Sequence, residues 1–282
     1  CAKFQLRNGE RLYRNRGKSS DTSADLGTQH TLDLLSRFQL SNAELLEVLD
    51  YCKRKGVVPL CTPWDLDSLR VLESYGMEAY KVASADLTNE ELLEALAATS
   101  KPLICSTGMS TEAEIKRAIN FLRQRGVQFA MLHCNSTYPT PFKDINLRYL
   151  DRLKGMLGSS LIGYSGHERG YNIPVVAVGM GARIIEKHFS IDRDMEGTDH
   201  KVSLLPNEFK EMVNQIRLVE EAMGSCEERT ISQGESINRE ILAKSLVINQ
   251  TLKAGEIITR EMVEIKSPGQ GIQPYFLEAV IG

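Results

Sequence analysis

The stretch LIGYSGHERG, residues 161–170, opens as an apolar run at Leu161 and Ile162 and turns polar at Ser165 and His167. So short an apolar run, closed by glycine, has the pattern of a strand buried on both faces of a parallel sheet rather than that of a helix. Polar groups are costly to bury without partners. A histidine in this position therefore either points at solvent from a turn or joins other polar groups collected at strand ends. One histidine does not separate these readings; the rest of the chain does.

Six more runs share the pattern: Ala2-Lys3-Phe4-Gln5, VVPLCTP (57–63), AYKVAS (79–84), PLICST (102–107), VQFAMLHC (127–134) and ARIIEKHF (182–189). Amphipathic helical stretches lie between most of them. SNAELLEVLDYCKRKG (41–56) opens on a serine cap and closes on Gly56, while TNEELLEALAA (88–98) and STEAEIKRAINFLRQRG (110–126) begin with Thr or Ser followed three residues on by Glu, the capping-box pattern. Helix-sized crossovers between parallel strands make βα repeats, which build either an open doubly wound sheet or a closed eight-stranded barrel. Seven repeats, the first already under way at Cys1, predict an α/β fold of the (β/α)8 TIM-barrel type whose first strand lies upstream of the chain. The absence of an initiator Met and the stop at Gly282 in mid-pattern read as a fragment trimmed at both ends.

The barrel is expected over residues 1–224. Residues 225–240 are polar and glycine-containing, which suits a linker. Residues 241–282 then carry short β-like pieces with Gly and Pro turns, AKSLVINQTL, AGEIITREMVEIKSPGQGI and LEAVIG. They predict a small β-rich second domain, which at about 40 residues is incomplete.

The bulk numbers exclude several functions. With 42% hydrophobic and 25% charged residues the 282-residue chain has an ordinary soluble composition, and a formal net charge of -3 offers no basic field for nucleic acid. An anionic substrate would need local cations. None of the six cysteines forms a CxxC pair and at least three sit in apolar runs, the usage of reduced thiols in a cytoplasmic protein. No stretch approaches the roughly 20 apolar residues of a membrane span, and no signal peptide is expected.

In a (β/α)8 barrel the active site lies at the C-terminal ends of the strands. There the chain places Lys3 and Gln5, Thr62, Lys81 and Ser84, Ser106 and Thr107, Ser136 and Tyr138, Ser165 and His167, and Glu186 and His188. The lysines suit phosphate or carboxylate charge, and hydroxyls with loop N–H groups complete such a shell. Taken singly, each has a plainer reading: Lys3 and Lys81 as surface lysines, Ser106-Thr107-Gly108 as a strand-to-helix turn, Ser136 as a loop cap, Tyr138 as packing within TYPTP. His133 reads as a core histidine with a satisfied ring, and His30 as solvated. His167 and His188 end consecutive strands, neighbours about 5 Å apart. Two imidazoles there make half of an exchangeable, catalytic divalent-metal shell rather than a closed structural zinc site.

KFQ, KVAS, ICSTGM, LHCNSTYPTP, GYSGH, EKHF and GTDHKVSL, in this order and spacing, resemble the sialic acid synthase family, which makes N-acetylneuraminic, legionaminic or pseudaminic acid and has a branch linked to spore-coat polysaccharide. AKSLV and KSPGQGI resemble its small antifreeze-like (SAF) domain. The resemblance implies condensation of phosphoenolpyruvate with an open-chain N-acylated hexosamine, releasing phosphate. It implies phosphoenolpyruvate binding by Lys3, Thr62, Lys81, Ser84, Ser106, Ser136 and Ser165, and Mn2+ (or Mg2+ or Co2+) on His167 and His188. Gln5, Tyr138 and Asp199 would contact the sugar, with Lys81, Tyr138 and the two histidines in the catalytic group. It further implies a cytoplasmic, domain-swapped homodimer in the full-length protein.

Two departures matter. The glutamate that the family supplies from its first strand would lie upstream of Cys1. The Arg that many bacterial members carry before the Pro-Gly of the second domain is Ser267 here, which leaves the sugar's identity open. Synthases of 3-deoxy-octulosonate or 3-deoxy-heptulosonate phosphate are the nearest alternative, but they lack the antifreeze-like tail. A non-catalytic carbohydrate-binding barrel would have little use for a metal pair.

Overall fold

All seven expected runs form strands in the computed structural model, which describes residues 1–12, 37–197 and 199–282 and so leaves His30 outside. They are β1 (Ala2–Leu6), β2 (Pro59–Pro63), β3 (Tyr80–Val82), β4 (Leu103–Ser106), β5 (Phe129–Cys134), β6 (Leu161–Gly166) and β7 (Ile184–Lys187). Every neighbouring pair is parallel and the spatial order follows the chain. The crossovers carry α1 (Asn42–Arg54), α2 (Leu66–Tyr75), α3 (Glu90–Ala98), α4 (Glu112–Gln124), α5 (Tyr149–Leu157) and α6 (Asn172–Gly179), and α7 (Pro206–Met223) follows β7.

The helix signals hold with one shift. Ser41 with Glu44 and Thr111 with Glu114 form complete capping boxes on α1 and α4. On α3 the cap is Asn89, whose side chain accepts from the Leu92 N–H, and not Thr88. Asparagine caps at least as well as threonine, so two adjacent cap residues leave the start ambiguous by one position.

Register decides what each sheet face carries, because residues opposite one another in parallel strands share a face. Lys3 lies opposite Leu60 and Gln5 opposite Thr62. Cys61 lies opposite Tyr80, so Lys81 falls on the face of Leu60 and Thr62. Lys81 then pairs with Ile104, Ser106 with Leu132, Cys134 with Ser165, and Ser165 with Glu186. The opposite face presents Cys61, Tyr80, Val82, Leu103, Cys105, Met131, Ile162 and Tyr164 to the main core, with Leu45, Leu49, Leu72, Leu93 and Leu122 of the helices. Hydrophobic burial thus glues helices to one face of the sheet and leaves Lys3, Gln5, Thr62, Lys81, Ser106, Ser165 and Glu186 on the other.

The sheet is strongly curled. Laid flat, six strand spacings would separate β1 from β7 by about 29 Å, yet the Lys3 ammonium on β1 lies 2.9 Å from the Glu186 carboxylate on β7. The polar face is therefore the concave interior. The expectation of a (β/α)8 barrel is met as far as this curled sheet of seven parallel strands; no ladder joins β1 to β7 among the described residues.

The chain divides into two compact units, Cys1–Met223 and Gly224–Gly282. Within the second, residues read from the sequence as linker are partly helical: α8 spans Gln233–Leu242, started by a complete Ser232–Glu235 capping box. The polarity that suggests a linker is equally compatible with a capped, solvent-facing helix. Next come β8 (Ser245–Ile248) and β9 (Val263–Lys266), paired antiparallel. Buried Ser245 ties β8 to the following turn, donating to the Pro268 carbonyl at 2.6 Å and accepting from the Gly271 N–H at 2.9 Å.

Candidate active site

The inner layer of the concave face is a charged cluster. Glu186 accepts from the Lys3 ammonium at 2.9 Å and from the Ser165 hydroxyl at 3.1 Å. Lys81, only 2% exposed, donates to Ser106 Oγ at 2.6 Å and to the Val82 carbonyl at 2.7 Å. Burial pushes the Glu186 carboxyl up, but the Lys81 and Lys3 ammonium groups outweigh it and, with hydrogen bonds from Lys3 and Ser165, hold it down at about 2. Burial lowers Lys81, and the Glu186 charge opposes that effect. Two cations facing one carboxylate leave this layer with a positive excess, the local counter-charge that an anionic substrate of a net-negative chain needs.

A second layer sits above β3–β5. The Gly108 N–H donates to Ser84 Oγ at 3.1 Å, and Ser84 donates to the Cys134 sulfur at 3.7 Å. A methyl group on Gly108 would come within 2.2 Å of Ser136 Oγ and 2.8 Å of Ser84 Oγ. The two serines therefore converge on a spot that a side chain at position 108 would fill. Thr62 is buried in register beside Gln5. Gln5 itself accepts from the Trp64 indole at 3.1 Å and from Arg7.

The rim carries the imidazoles. The rings of His167 and His188 have centroids 5.3 Å apart, and Tyr138 packs on both, at 4.1 Å and 5.9 Å. His167 Nδ1 lies 2.6 Å from the Asn135 carbonyl, a contact that only an N–H can make. In the neutral ring this leaves a lone pair on Nε2, which stands 3.1 Å from the Tyr138 hydroxyl. The Asp199 carboxylate stands 3.4 Å from His188 Nδ1. Burial lowers His188 below the usual imidazole value, although Asp199 and Glu186 oppose it, so this ring favours its neutral, ligating form.

These rings suit a divalent cation as two of its ligands. An imidazole whose Nδ1–H is held by a carbonyl presents Nε2 in the tautomer that metals take. Among the described residues no group of three or more His, Cys, Asp or Glu is placed to hold a metal.

The structure thus gathers Lys3, Lys81, Ser106 and Ser165 in one layer, Ser84 and Ser136 in a second, and Tyr138, His167, His188 and Asp199 at the rim. Sequence reading placed Glu186 at a strand end and gave it no role, read Gly108 only as part of a strand-to-helix turn, and assigned nothing to Cys134 and Asn135. The available signal for Glu186 was its spacing of two from His188, which puts both on one face of β7 and its extension. His133 is a core histidine as expected, buried with Nε2 2.6 Å from the Ile145 carbonyl.

A curled sheet of seven parallel strands with helices on its outer face and cationic, hydroxyl and imidazole groups inside defines an α/β fold of half-barrel form. Within it the chain belongs to the NeuB family, whose model matches residues 1–228, and a SAF-domain model matches residues 243–282. It is 36% identical to the N,N'-diacetyllegionaminic acid synthase of Campylobacter jejuni, over 89% of this chain and 75% of that protein. An uncharacterised Methanocaldococcus jannaschii protein is 38% identical over 97% of the chain and 84% of its own length. Among solved structures, an N-acetylneuraminic acid synthetase from Leptospira borgpetersenii superposes with a TM-score of 0.74 at 32% identity, covering 84% of this chain and 79% of that one. The relatives with named activities are biosynthetic synthases.

Proposed function

We propose that the protein is a nonulosonic (sialic-type) acid synthase, a transferase that joins phosphoenolpyruvate, an open-chain N-acylated hexosamine and water into a nine-carbon 2-keto-3-deoxy sugar acid and phosphate. The observation that carries this reading is the cationic layer of Lys3 and Lys81 around Glu186, ringed by hydroxyls beneath two imidazoles. A small polyanion with a phosphate at one end and a carboxylate at the other matches that layer.

Lys3 and Lys81 neutralise the two anionic groups of phosphoenolpyruvate by charge-assisted hydrogen bonds, and Ser84, Ser106, Ser136, Ser165 and Thr62 supply the neutral contacts. Gln5, Tyr138 and Asp199 hold the sugar, so its aldehyde carbon meets C3 of the enol with little orientational entropy left to lose. The C3–C1 bond forms as the enol π electrons leave C2 cationic, and the aldehyde oxygen takes up a proton. Glu186, held ionised, stabilises the positive charge at C2. Water adds at C2 and loses a proton; the C2–O bond to phosphate then breaks with its electron pair on phosphate, and the new C2 hydroxyl gives up its proton as the ketone forms. A Mn2+ (or Mg2+ or Co2+) ion on His167 and His188 would supply Lewis-acid polarisation of the aldehyde oxygen. All six cysteines are free thiols, which supports a cytoplasmic setting, and we extend the reading to a domain-swapped homodimer of the full-length protein.

The test is incubation of the full-length protein with phosphoenolpyruvate, Mn2+ and a panel of N-acyl hexosamines, followed by phosphate release. Release that requires both sugar and metal supports the reading; a folded protein that releases phosphate with no member of the panel refutes it.

A further inference from the structure

Behind the rim, on the face of the sheet packed against the core, lies a charged group that the chemistry above does not use. Lys187 and Glu168 form an ion pair at 3.2 Å with both side chains fully buried. Lys187 also donates to the Glu168 backbone carbonyl, and the Tyr164 hydroxyl donates to the second Glu168 oxygen at 2.7 Å. Glu168 follows His167 directly and Lys187 precedes His188 directly. Each member of the pair is therefore one peptide unit from an imidazole.

The glycine of the Ser165-Gly166-His167 turn belongs to the same arrangement. A methyl group on Gly166 would lie 2.6 and 2.7 Å from the two Glu168 carboxylate oxygens. The carboxylate folds back beneath the end of β6 into space that only glycine leaves open. Stability does not account for burying these charges, since well-packed apolar residues of similar volume are commonly as stable or more so. The β6–β7 ladder already pairs Gly166 with Lys187; what the ion pair adds is a side-chain tie beyond it, from Lys187 to Glu168, the residue that follows His167. The histidine backbones are held elsewhere by ordinary bonds, Thr140 N–H to the His167 carbonyl at 3.1 Å and Leu204 N–H to the His188 carbonyl at 2.8 Å. Neither of those bonds links one strand end to the other, and the ladder stops at Gly166 and Lys187, one residue short of each histidine.

We propose that Lys187, Glu168 and Tyr164 are positioning residues: a buried clamp that sets the separation of His167 and His188 and thereby the affinity for the divalent ion. The inference rests on the reading of these histidines as metal ligands. Metal–ligand bonds tolerate deviations of only about 0.2 Å, so slack between the strand ends acts on the ion first. Outer-shell partners of this kind are worth about 10- to 100-fold in metal affinity.

The experiment is Mn2+ titration of the metal-free full-length protein, read by the electron paramagnetic resonance signal of free Mn2+. The wild type is compared with His188→Ala, Lys187→Met, Lys187→Arg and Tyr164→Phe, and metal-free thermal unfolding and phosphoenolpyruvate affinity are measured in parallel. The clamp predicts that Lys187→Met weakens Mn2+ binding by about 10- to 100-fold and leaves metal-free phosphoenolpyruvate affinity within about twofold, with partial recovery in Lys187→Arg. Tyr164→Phe, which removes a single hydroxyl and keeps the ion pair, weakens Mn2+ binding to a smaller but measurable degree and decides the matter if Lys187→Met does not fold. Folded variants that bind Mn2+ as tightly as the wild type overturn the clamp, whatever their melting temperatures. A wild type that binds no Mn2+, or a His188→Ala variant that binds it normally, overturns the metal reading itself, which is a separate outcome.

Discussion

Replacing Lys81 with Met tests the inner layer most sharply, because it deletes one charge and keeps the length of the stem. The wild-type ammonium is buried, bonded at 2.6 Å to Ser106 Oγ and at 2.7 Å to the Val82 carbonyl. It therefore meets a ligand already oriented and stripped of water. A hydrogen bond to a charged group in such a setting contributes about 1.5–3 kcal/mol. At about 1.4 kcal/mol per decade, phosphoenolpyruvate should bind roughly tenfold to a hundredfold more weakly. Lys3 persists, which keeps the loss finite. Glu186, left with one cation, should move up from about 2, because burial is the largest influence on it. Titration calorimetry of phosphoenolpyruvate into the full-length protein reads the effect directly, and near-UV circular dichroism checks that the variant keeps its fold. An affinity within twofold of wild type in a folded variant would refute the assignment of this layer to the substrate.

His188→Ala should abolish the chelator-sensitive part of phosphate release; unchanged turnover removes the metal from the account. In Gly108→Ala the new methyl group would crowd Ser136 and Ser84, so the KM for phosphoenolpyruvate should rise by about tenfold or more with little change in melting temperature, and an unaltered KM would place the anchors elsewhere. Asp86 gives a pH-dependent stability test. Burial raises its carboxyl above the ordinary value, and Oδ2 has no hydrogen-bond partner among the described residues. With the folded value above the unfolded one, the native state holds the extra proton, so this group favours folding as pH falls through its raised folded value and opposes it at neutral pH. Asp86→Asn should accordingly raise the melting temperature at pH 7 relative to wild type, with the advantage shrinking below the unfolded Asp value near pH 4; a lower melting temperature at pH 7 would contradict this.

The strands were legible because each is a brief apolar run that turns polar, and a period of two puts alternate residues on one face. Lys3, Thr62, Lys81, Ser106 and Ser165 were legible as residues of one shared face for the same reason. Glu186 had the same periodicity, but a carboxylate inside a strand acquires a meaning only from what it faces. Its partner Lys3 is 183 residues away and is delivered by the curl of the sheet, which no local pattern encodes. The helix over Gln233–Leu242 was hidden because capped polar helices and linkers share a composition, and only the Ser232–Glu235 box distinguishes them. Gly166 looked like an ordinary turn glycine, and its use as room for the Glu168 carboxylate needs the three-dimensional fold to be seen.

The central claim is that C3 of phosphoenolpyruvate attacks a sugar aldehyde and that phosphate leaves with the C2–O bond broken. It is tested most directly with phosphoenolpyruvate carrying 18O in the oxygen that bridges C2 and phosphorus, turned over by the full-length protein with Mn2+ and an N-acyl hexosamine, and with mass spectrometry of the phosphate released. The account predicts phosphate that retains the label and forms only when the sugar is present. Unlabelled phosphate, with the 18O left on the three-carbon product, or release at the same rate without sugar, would contradict it.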